Sequence, residues 1–361
     1  MEHDGRRTAE ETTVELGFAS AEDPARHRRW SRRRLGRPGG RRARTTALVV
    51  LLALLALLGG AGAGGWLYVR SLDKQVQKID AFHGVPETRR PARVADGALN
   101  FLVVGKDKAD PESTASRTDT IMLVHVPSSR DRAQVISIPR DTWTTIPDSS
   151  EGDGQPTEAK INAAYAWGGT PLLVRTIEDF TGVRLDHVVV IDFAGFGKII
   201  DALGGVDVTL DKTFTSKMQP GRVYQPGTHR LDGIAALEYA RARKQFADGD
   251  FSRMRHQQDI VAAVLREAGS KDILADPGRL DNFLRATTGA VQVDRELSVF
   301  DTVWALRQIQ ADDVTMLTSP SRGTGMVGDQ SVVFPDEDAA ASLYEAVKND
   351  TVDSWVAEHP N

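Results

Sequence analysis

Three short apolar runs follow one another early in the chain: Leu99-Asn100-Phe101-Leu102-Val103-Val104, Ile121-Met122-Leu123-Val124 and Val135-Ile136-Ser137-Ile138. Runs of this length, rich in Val, Ile and Leu and bounded by turn residues, predict strands buried on both faces. Further on the pattern alternates. Helical spacing covers 162–167, 171–180 with Thr170 as N-cap, and 193–203, which Gly204-Gly205 stops. A strand is predicted at 188–191, and 206–210 alternates as a second would. Apolar residues recur at helical spacing over 231–242 and 253–268, and helices follow at 299–308 and 337–347. Strands are expected near 314–317 and at Val332-Val333. The alternation predicts an α/β fold: a single exported domain with a mixed central β-sheet flanked by helices.

Ahead of these elements, residues 47–69 form an uncharged run of 23 residues, roughly 35 Å as a helix and enough to cross a bilayer. Ten arginines lie between Arg26 and Arg44, so the positive-inside rule keeps the N-terminus in the cytoplasm and exports everything after Arg70. Trp66 and Tyr68 stand where interface anchors would. A cleaved signal peptide is the rival reading, given Ala61-Gly62-Ala63, but the charged tail and the apolar run are both too long for one. The predicted organisation is a basic, partly disordered cytoplasmic tail (1–44), a transmembrane helix (45–69), a polar stalk (70–96), a catalytic domain (97–350) and a C-terminal tail (351–361).

Charge sharpens this picture. The net charge of −5 conceals 12 Arg against 7 acids in residues 1–44, about +5, which leaves the remainder near −10. Beside a membrane span, the basic tail is accounted for by topology and anionic lipid, and no nucleic acid is implied. The chain has no Cys, which excludes disulfides and thiolate metal sites. Its eight His show no metal-binding spacing, and no Gly-x-Ser-x-Gly elbow is present. Ser71-Leu-Asp-Lys74 fits a Ser-x-x-Lys pattern but lacks the companion motifs. Gly323-Thr-Gly325-Met-Val-Gly328 fits a dinucleotide fingerprint, but a strand rather than a helix follows it, so it reads as a glycine-rich turn.

What remains is charge at the ends of core elements. The first run ends in Gly105-Lys106-Asp107, Arg117-Thr118-Asp119-Thr120 opens the second, and the third ends in Pro139-Arg140-Asp141. Open α/β sheets bind ligands at strand ends, and acids mixed with arginines there suit a phosphorylated ligand with a divalent cation. Arg241 and Arg243 end one helix, and Arg253 and Gln257, spaced i and i+4, share a face of the next. Singly, each is a solvated surface charge. Converging through the loop that holds Gly249-Asp250, they would form a pyrophosphate clamp suited to the planar fork of Arg.

Six motifs in series then resemble the LytR-CpsA-Psr cell-wall ligases: Gly105-x-Asp107, Arg117-Thr-Asp119-Thr120, Ile138-Pro-Arg140-Asp141, Lys160-Ile-Asn162-Ala-Ala-Tyr165, Ala202-Leu-Gly-Gly205-Val-Asp207, and Gly249-Asp250-Phe251 followed by Arg253 and Gln257. The resemblance covers roughly 97–268. It implies a single-pass bacterial membrane protein that moves a glycopolymer from a polyprenyl-pyrophosphate carrier onto peptidoglycan through a phosphodiester, with Mg²⁺ (or Mn²⁺). By position it implies Asp107 and Asp119 as metal ligands and Arg117, Arg140, Arg241, Arg243 and Arg253, with Gln257, on the phosphates. Lys106, Asp141, Lys160 and Asn162 stand in the same motifs as substrate-binding candidates. Asp250 would either orient Arg253 or help deprotonate the incoming hydroxyl. Lys108 and His256 depart from the family pattern, since Arg is usual at both; a phosphate-contacting His256 would act as a cation. Two rivals to the transferase stand: a polyprenyl-pyrophosphate phosphatase, and a non-catalytic module binding carrier lipid or glycan.

Overall fold

The three apolar runs pair as the centre of one mixed sheet, in a computed structural model that describes residues 71–107, 117–147, 155–242 and 250–359. The expected tail (1–44) and span (45–69) lie outside the described residues, among which no helix is long and apolar enough to cross a membrane. The sheet strands are β1 (Gln77–Ile79), β2 (Leu99–Asp107), β3 (Arg117–Val126), β4 (Ala133–Ile138), β5 (His187–Asp192), β6 (Val291–Asp294) and β7 (Val314–Thr318). Their spatial order is β1-β6-β5-β2-β3-β4-β7. Strand β3 runs antiparallel to both β2 and β4, β5 is parallel to β2, and β7 is parallel to β4.

Successive side chains of a strand point to opposite faces, so the sheet separates two cores. Phe101, Val103, Met122 and Val124 face one, and Leu102, Val104, Ile121 and Leu123 the other. The helices are α1 (Ala163–Thr181), α2 (Phe193–Ala202), α3 (Gly233–Arg241), α4 (Asp250–Ala268), α5 (Pro277–Ala290), α6 (Val299–Leu306) and α7 (Glu337–Lys348). Buried residues of α2 to α6 pack on the first face, and those of α1 and α7 on the second. The expected α/β architecture with a mixed central sheet flanked by helices is what forms. Helices 162–167 and 171–180 are the two halves of α1, kinked where Gly169 takes φ 63°. Helix α3 starts at Gly233 rather than 231 because Leu231 pairs with Val206 in an antiparallel ladder of 227–231 on 206–210 and the Asp232 carboxylate caps the Ala235 N–H at 2.9 Å. The Gly323–Gly328 stretch, expected as a turn, is strand through Val327, and only Gly328 falls in the turn of the hairpin formed by Ser321–Val327 and Gln330–Pro335.

Two expectations about the ends of the domain are corrected. Residues 71–96 are not a free stalk: Leu72, Val76 and Ala81 are buried, and Gln77–Ile79 adds β1 to the sheet beside β6. Arg90 Nη2 sits 2.7 Å from the buried Glu178 carboxylate, tying the segment to α1. The segment is polar in sequence because its few apolar anchors are spread among charges, and three residues of strand are too few to display a period. Residues 351–361 likewise include a helix, Val352–Glu358, with Val352 buried.

Candidate functional site

Strand direction brings the predicted charges to one end of the sheet. Because β3 is antiparallel to both β2 and β4, its start lies beside their ends, which places 107, 117, 119, 140 and 141 together. Asp107 pairs in register with Arg117 and Lys106 with Thr118, whereas Gly105 pairs with Thr120, so Asp119 is the extra residue of a β-bulge. A bulge re-aims a side chain at the rim of a sheet. Asp119 is thereby turned onto Arg140, whose Nη1 donates to its carboxylate. Arg140 Nε lies 3.4 Å from Asp141 Oδ2, and Asp141 Oδ1 lies 3.4 Å from Lys160 Nζ. The Asn162 N–H donates to the Arg140 carbonyl at 3.2 Å, which fixes the start of α1 against the same corner. The result is a half-buried chain of alternating charge, Asp119-Arg140-Asp141-Lys160, with its cations held ready for an anion.

Directly behind this corner the first core is hollow. An apolar cavity of about 80 Å³, open to solvent, lies between the sheet and helices α2, α3 and α4. Its wall is apolar almost throughout: Val103, Met122, Val124, Phe196, Leu237 and Val261 contribute, along with Ala240. At the strand-end side it is bounded by Gly105, Thr120 and Phe193. A Cβ at Gly105 would stand 2.9 Å from the Thr120 Cβ and 3.0 Å from the Phe193 ring, so only glycine keeps this passage open without displacement. The Thr120 hydroxyl is buried with no hydrogen-bond partner among the described residues. A polar atom left in that condition at a cavity rim marks where a polar ligand group could bond.

The helices carry the remaining cations to the same rim. Asp192 at the end of β5 caps α2 through the Ala194 N–H at 2.8 Å, which sets Phe193 at the cavity edge. A Cβ at Gly233 would lie 2.2 Å from the Gly197 carbonyl, so α3 reaches its place only because both helices are bare at the contact. Arg241, the last residue of α3, then lies over the Phe193 ring at 5.0 Å. Gln257 lines the cavity, its Nε2 3.5 Å from the Ala240 carbonyl, and the buried Arg253 stands one turn earlier on α4.

The predicted set divides accordingly. Asp119, Arg140, Asp141, Lys160 and Asn162 meet at the corner, and Arg241, Arg253 and Gln257 belong to the cavity side. Lys106 is corrected out of the group: its Nζ reaches Gln292 Oε1 at 3.0 Å, and Gln292 lies level with Val104, back along the sheet. Arg243 and Lys108 lie outside the described residues, as do the side chains of Asp107, Arg117 and Asp250, whose backbones alone are placed. Sequence reasoning missed Phe193 and the cavity wall, since apolar lining and apolar core look alike in one dimension. It also missed Gln258, whose Nε2 donates to Ser137 Oγ and to the Leu317 carbonyl, both at 2.9 Å, locking α4 to β4 and β7.

His256, whose role the sequence leaves open between a phosphate contact and a structural one, takes the structural place. It is buried, stacked on Tyr239 with ring centroids 4.1 Å apart, and burial pushes its pKa down to about 4. It is therefore neutral at neutral pH and is no phosphate-binding cation. Its folded pKa lies below the unfolded value near 6.5, so the unfolded chain takes up the proton first as pH falls. Stability tied to His256 is thus complete above about pH 6.5 and declines towards pH 4, by about 2 kcal/mol at pH 5. Thermal melts of the native chain and His256→Gln are expected to differ in pH slope between 5 and 7, with the variant flatter. Equal slopes would place the acid sensitivity elsewhere.

Strand-end charges beside an apolar cavity, on a mixed sheet flanked by helices, define the class: an α/β protein with a polar corner next to an apolar pocket. The chain belongs to the LytR_cpsA_psr family, whose model matches residues 69–349. It is 33% identical over 250 residues, 68% of this chain and 77% of the relative, to the polyisoprenyl-teichoic acid–peptidoglycan teichoic acid transferase TagU of Halalkalibacterium halodurans. It is 27% identical over 294 residues to the cell wall biosynthesis protein LcpA of Corynebacterium glutamicum, covering 70% of this chain and 56% of that one. Among solved structures, B. subtilis TagV shares the fold with a TM-score of 0.59 at 24% identity, over 71% of this chain and 98% of its own. The LytR-Csp2A-Psr enzyme from Actinomyces oris shares it at 0.55 and 23%, over 76% and 96%.

Proposed function

We propose that the chain is a membrane-anchored phosphotransferase that attaches a glycopolymer from a polyprenyl-pyrophosphate carrier to peptidoglycan through a phosphodiester bond. The observation that carries this reading is the junction of the two halves of the site. A molecule that is prenyl chain at one end and pyrophosphate at the other matches an apolar cavity whose edge carries Arg241 over Phe193 and whose lining reaches Thr120, next to the Asp119–Arg140 pair. The TagU relative, a polyisoprenyl-teichoic acid–peptidoglycan teichoic acid transferase, has an activity of this kind.

In the proposed reaction a sugar hydroxyl of the acceptor attacks the phosphorus nearer the polymer. The new O–P bond forms as the bond to the prenyl phosphate breaks, and the hydroxyl proton passes to a base, for which Asp250 at the start of α4 is the candidate. Arginines on the transferring and departing phosphates act by position and charge. Mg²⁺ is usually held by one or two carboxylates with phosphate oxygens and water, and the Asp119 carboxylate on the bulge at the sheet rim is a donor of that kind. Asp119 and Asp107 would supply those carboxylates. When bound, the ion neutralises charge on the phosphate oxygens.

The test is partition between acceptors. Full-length chain in lipid nanodiscs receives a short glycan on a polyprenyl pyrophosphate, Mg²⁺ and peptidoglycan fragments. A positioned hydroxyl outcompetes water at about 55 M, because effective molarities of roughly 10⁵ M or more are attainable. A phosphodiester-linked product is expected by mass spectrometry, with slow hydrolysis when acceptor is withheld. Rapid release of carrier phosphate regardless of acceptor would replace the transferase by a phosphatase, and carrier binding without turnover would leave a binding module.

A further inference from the structure

Six large apolar side chains stand strongly exposed among the described residues, and three of them, Met218 (66%), Val223 (50%) and Ile234 (45%), belong to one lobe. Hydrogen bonds draw them together. The Glu238 carboxylate on α3 accepts from the backbone N–H groups of Lys217 and Met218 at 2.8 and 2.9 Å, and from Ser216 Oγ. Ile234 precedes Glu238 by four residues, so it occupies the same face of α3 one turn away. Asp232, at the N-cap of that helix, accepts from Gln219 Nε2 at 2.9 Å and from Arg222 Nη1 at 3.0 Å. Val223 pairs with Thr215 in a two-residue ladder whose neighbour Tyr224 is buried, so Val223 points outward.

The patch has a cationic margin and a route inward. Lys212 and Lys217 are exposed beside it, with Asp211 exposed next to Lys212; Arg222 is exposed and paired with Asp232, and Glu238 is occupied by the bonds just named. Along α3 the spacing Ile234, Leu237, Arg241 forms one stripe. Its first residue is in the patch, its second lines the cavity and its third lies over Phe193 at the rim. Exposed Met, Val and Ile with Lys212 and Lys217 nearby is a composition suited to the headgroup region of an anionic leaflet.

We propose that the 212–234 lobe docks on the lipid bilayer through Met218, Val223 and Ile234, so that the outer stripe of α3 connects the membrane to the cavity. This rests on the proposed function only in naming what travels the route. The docking itself is independent of turnover. The bilayer is the occupant the sequence points to, since the uncharged 47–69 run reads as a membrane span that ends just before Leu72 enters the core.

The absence of cysteine makes the test direct. Full-length chain carrying Met218→Cys, and separately Met326→Cys as an equally exposed control on the 321–335 hairpin, is labelled with an environment-sensitive fluorophore and reconstituted in phosphatidylcholine–phosphatidylglycerol vesicles without substrate. Interfacial side chains sit roughly 5–10 Å into the headgroup boundary, so nitroxide lipids are expected to remove about half or more of the emission at 218 and little at 326. Loss of quenching in Met218→Cys/Val223→Asp/Ile234→Asp would assign the contact to the apolar patch. Equal quenching at both labels, or none at 218, overturns the proposal, whatever the enzyme does; a 218 label shielded without nitroxide sensitivity would point to a protein partner instead and overturn it too.

Discussion

Replacing Asp119 by alanine is expected to lower product formation by about a hundredfold or more while leaving the melting temperature close to that of the native chain. Asp119 stands on a bulge at the sheet rim, outside both cores, so its removal opens no cavity. Arg140 keeps Asp141 at 3.4 Å and does not become an uncompensated charge. What is lost is a carboxylate placed where a divalent cation and the transferring phosphate would meet. Asp119→Asn preserves volume and hydrogen bonding but not charge, and should fail equally if metal holding is the role. The measurement is initial rate against Mg²⁺ and Mn²⁺ concentration, alongside a thermal melt. A variant with near-native rates at saturating Mg²⁺ would remove Asp119 from the machinery.

The second large effect is expected from Ala240→Phe. Ala240 lines the cavity, and a phenyl ring there occupies open space rather than displacing packed neighbours, so the fold should be retained. A long prenyl chain would then be shut out of part of its chamber. Each buried CH₂ contributes about 0.8 kcal/mol, so losing contact with one five-carbon unit costs about 4 kcal/mol, a several-hundredfold change. The loss should appear with a long-chain carrier and largely vanish with a carrier whose chain is too short to reach Ala240. Equal loss on both would show that the substitution disturbs the rim, and unchanged rates on both would place the prenyl chain elsewhere.

The strands, their buried character and the charges at their ends were legible in order along the chain because each is local: an apolar run, a turn, a carboxylate or guanidinium at the boundary. Series of such boundaries carried the resemblance to the LytR-CpsA-Psr ligases, and the family was readable before any coordinate. The helices of 193–203 and 253–268 were readable for the same reason, since amphipathic period and glycine stops act within a few residues.

Other features depended on contacts between distant segments. The bulge at Asp119 exists only when β2 and β3 are in register, and Lys106 turned out to face Gln292, 186 residues away, rather than the site. His256 reads as a cation by type and is held neutral by burial against Tyr239, which is a property of the packed interior. The segment 71–96 has the composition of a linker, yet its sparse apolar residues find partners across the sheet. The cavity has no one-dimensional signature at all, because a wall of Val, Met, Phe and Leu differs from a filled core only in what the helices fail to reach. The chain alone therefore determined strands, polarity and chemistry-bearing residue types, all set by short-range pattern. The tertiary structure decided which charges meet, which residue is silenced by desolvation and where empty space is left, because each of these is a distance between residues that the sequence keeps apart.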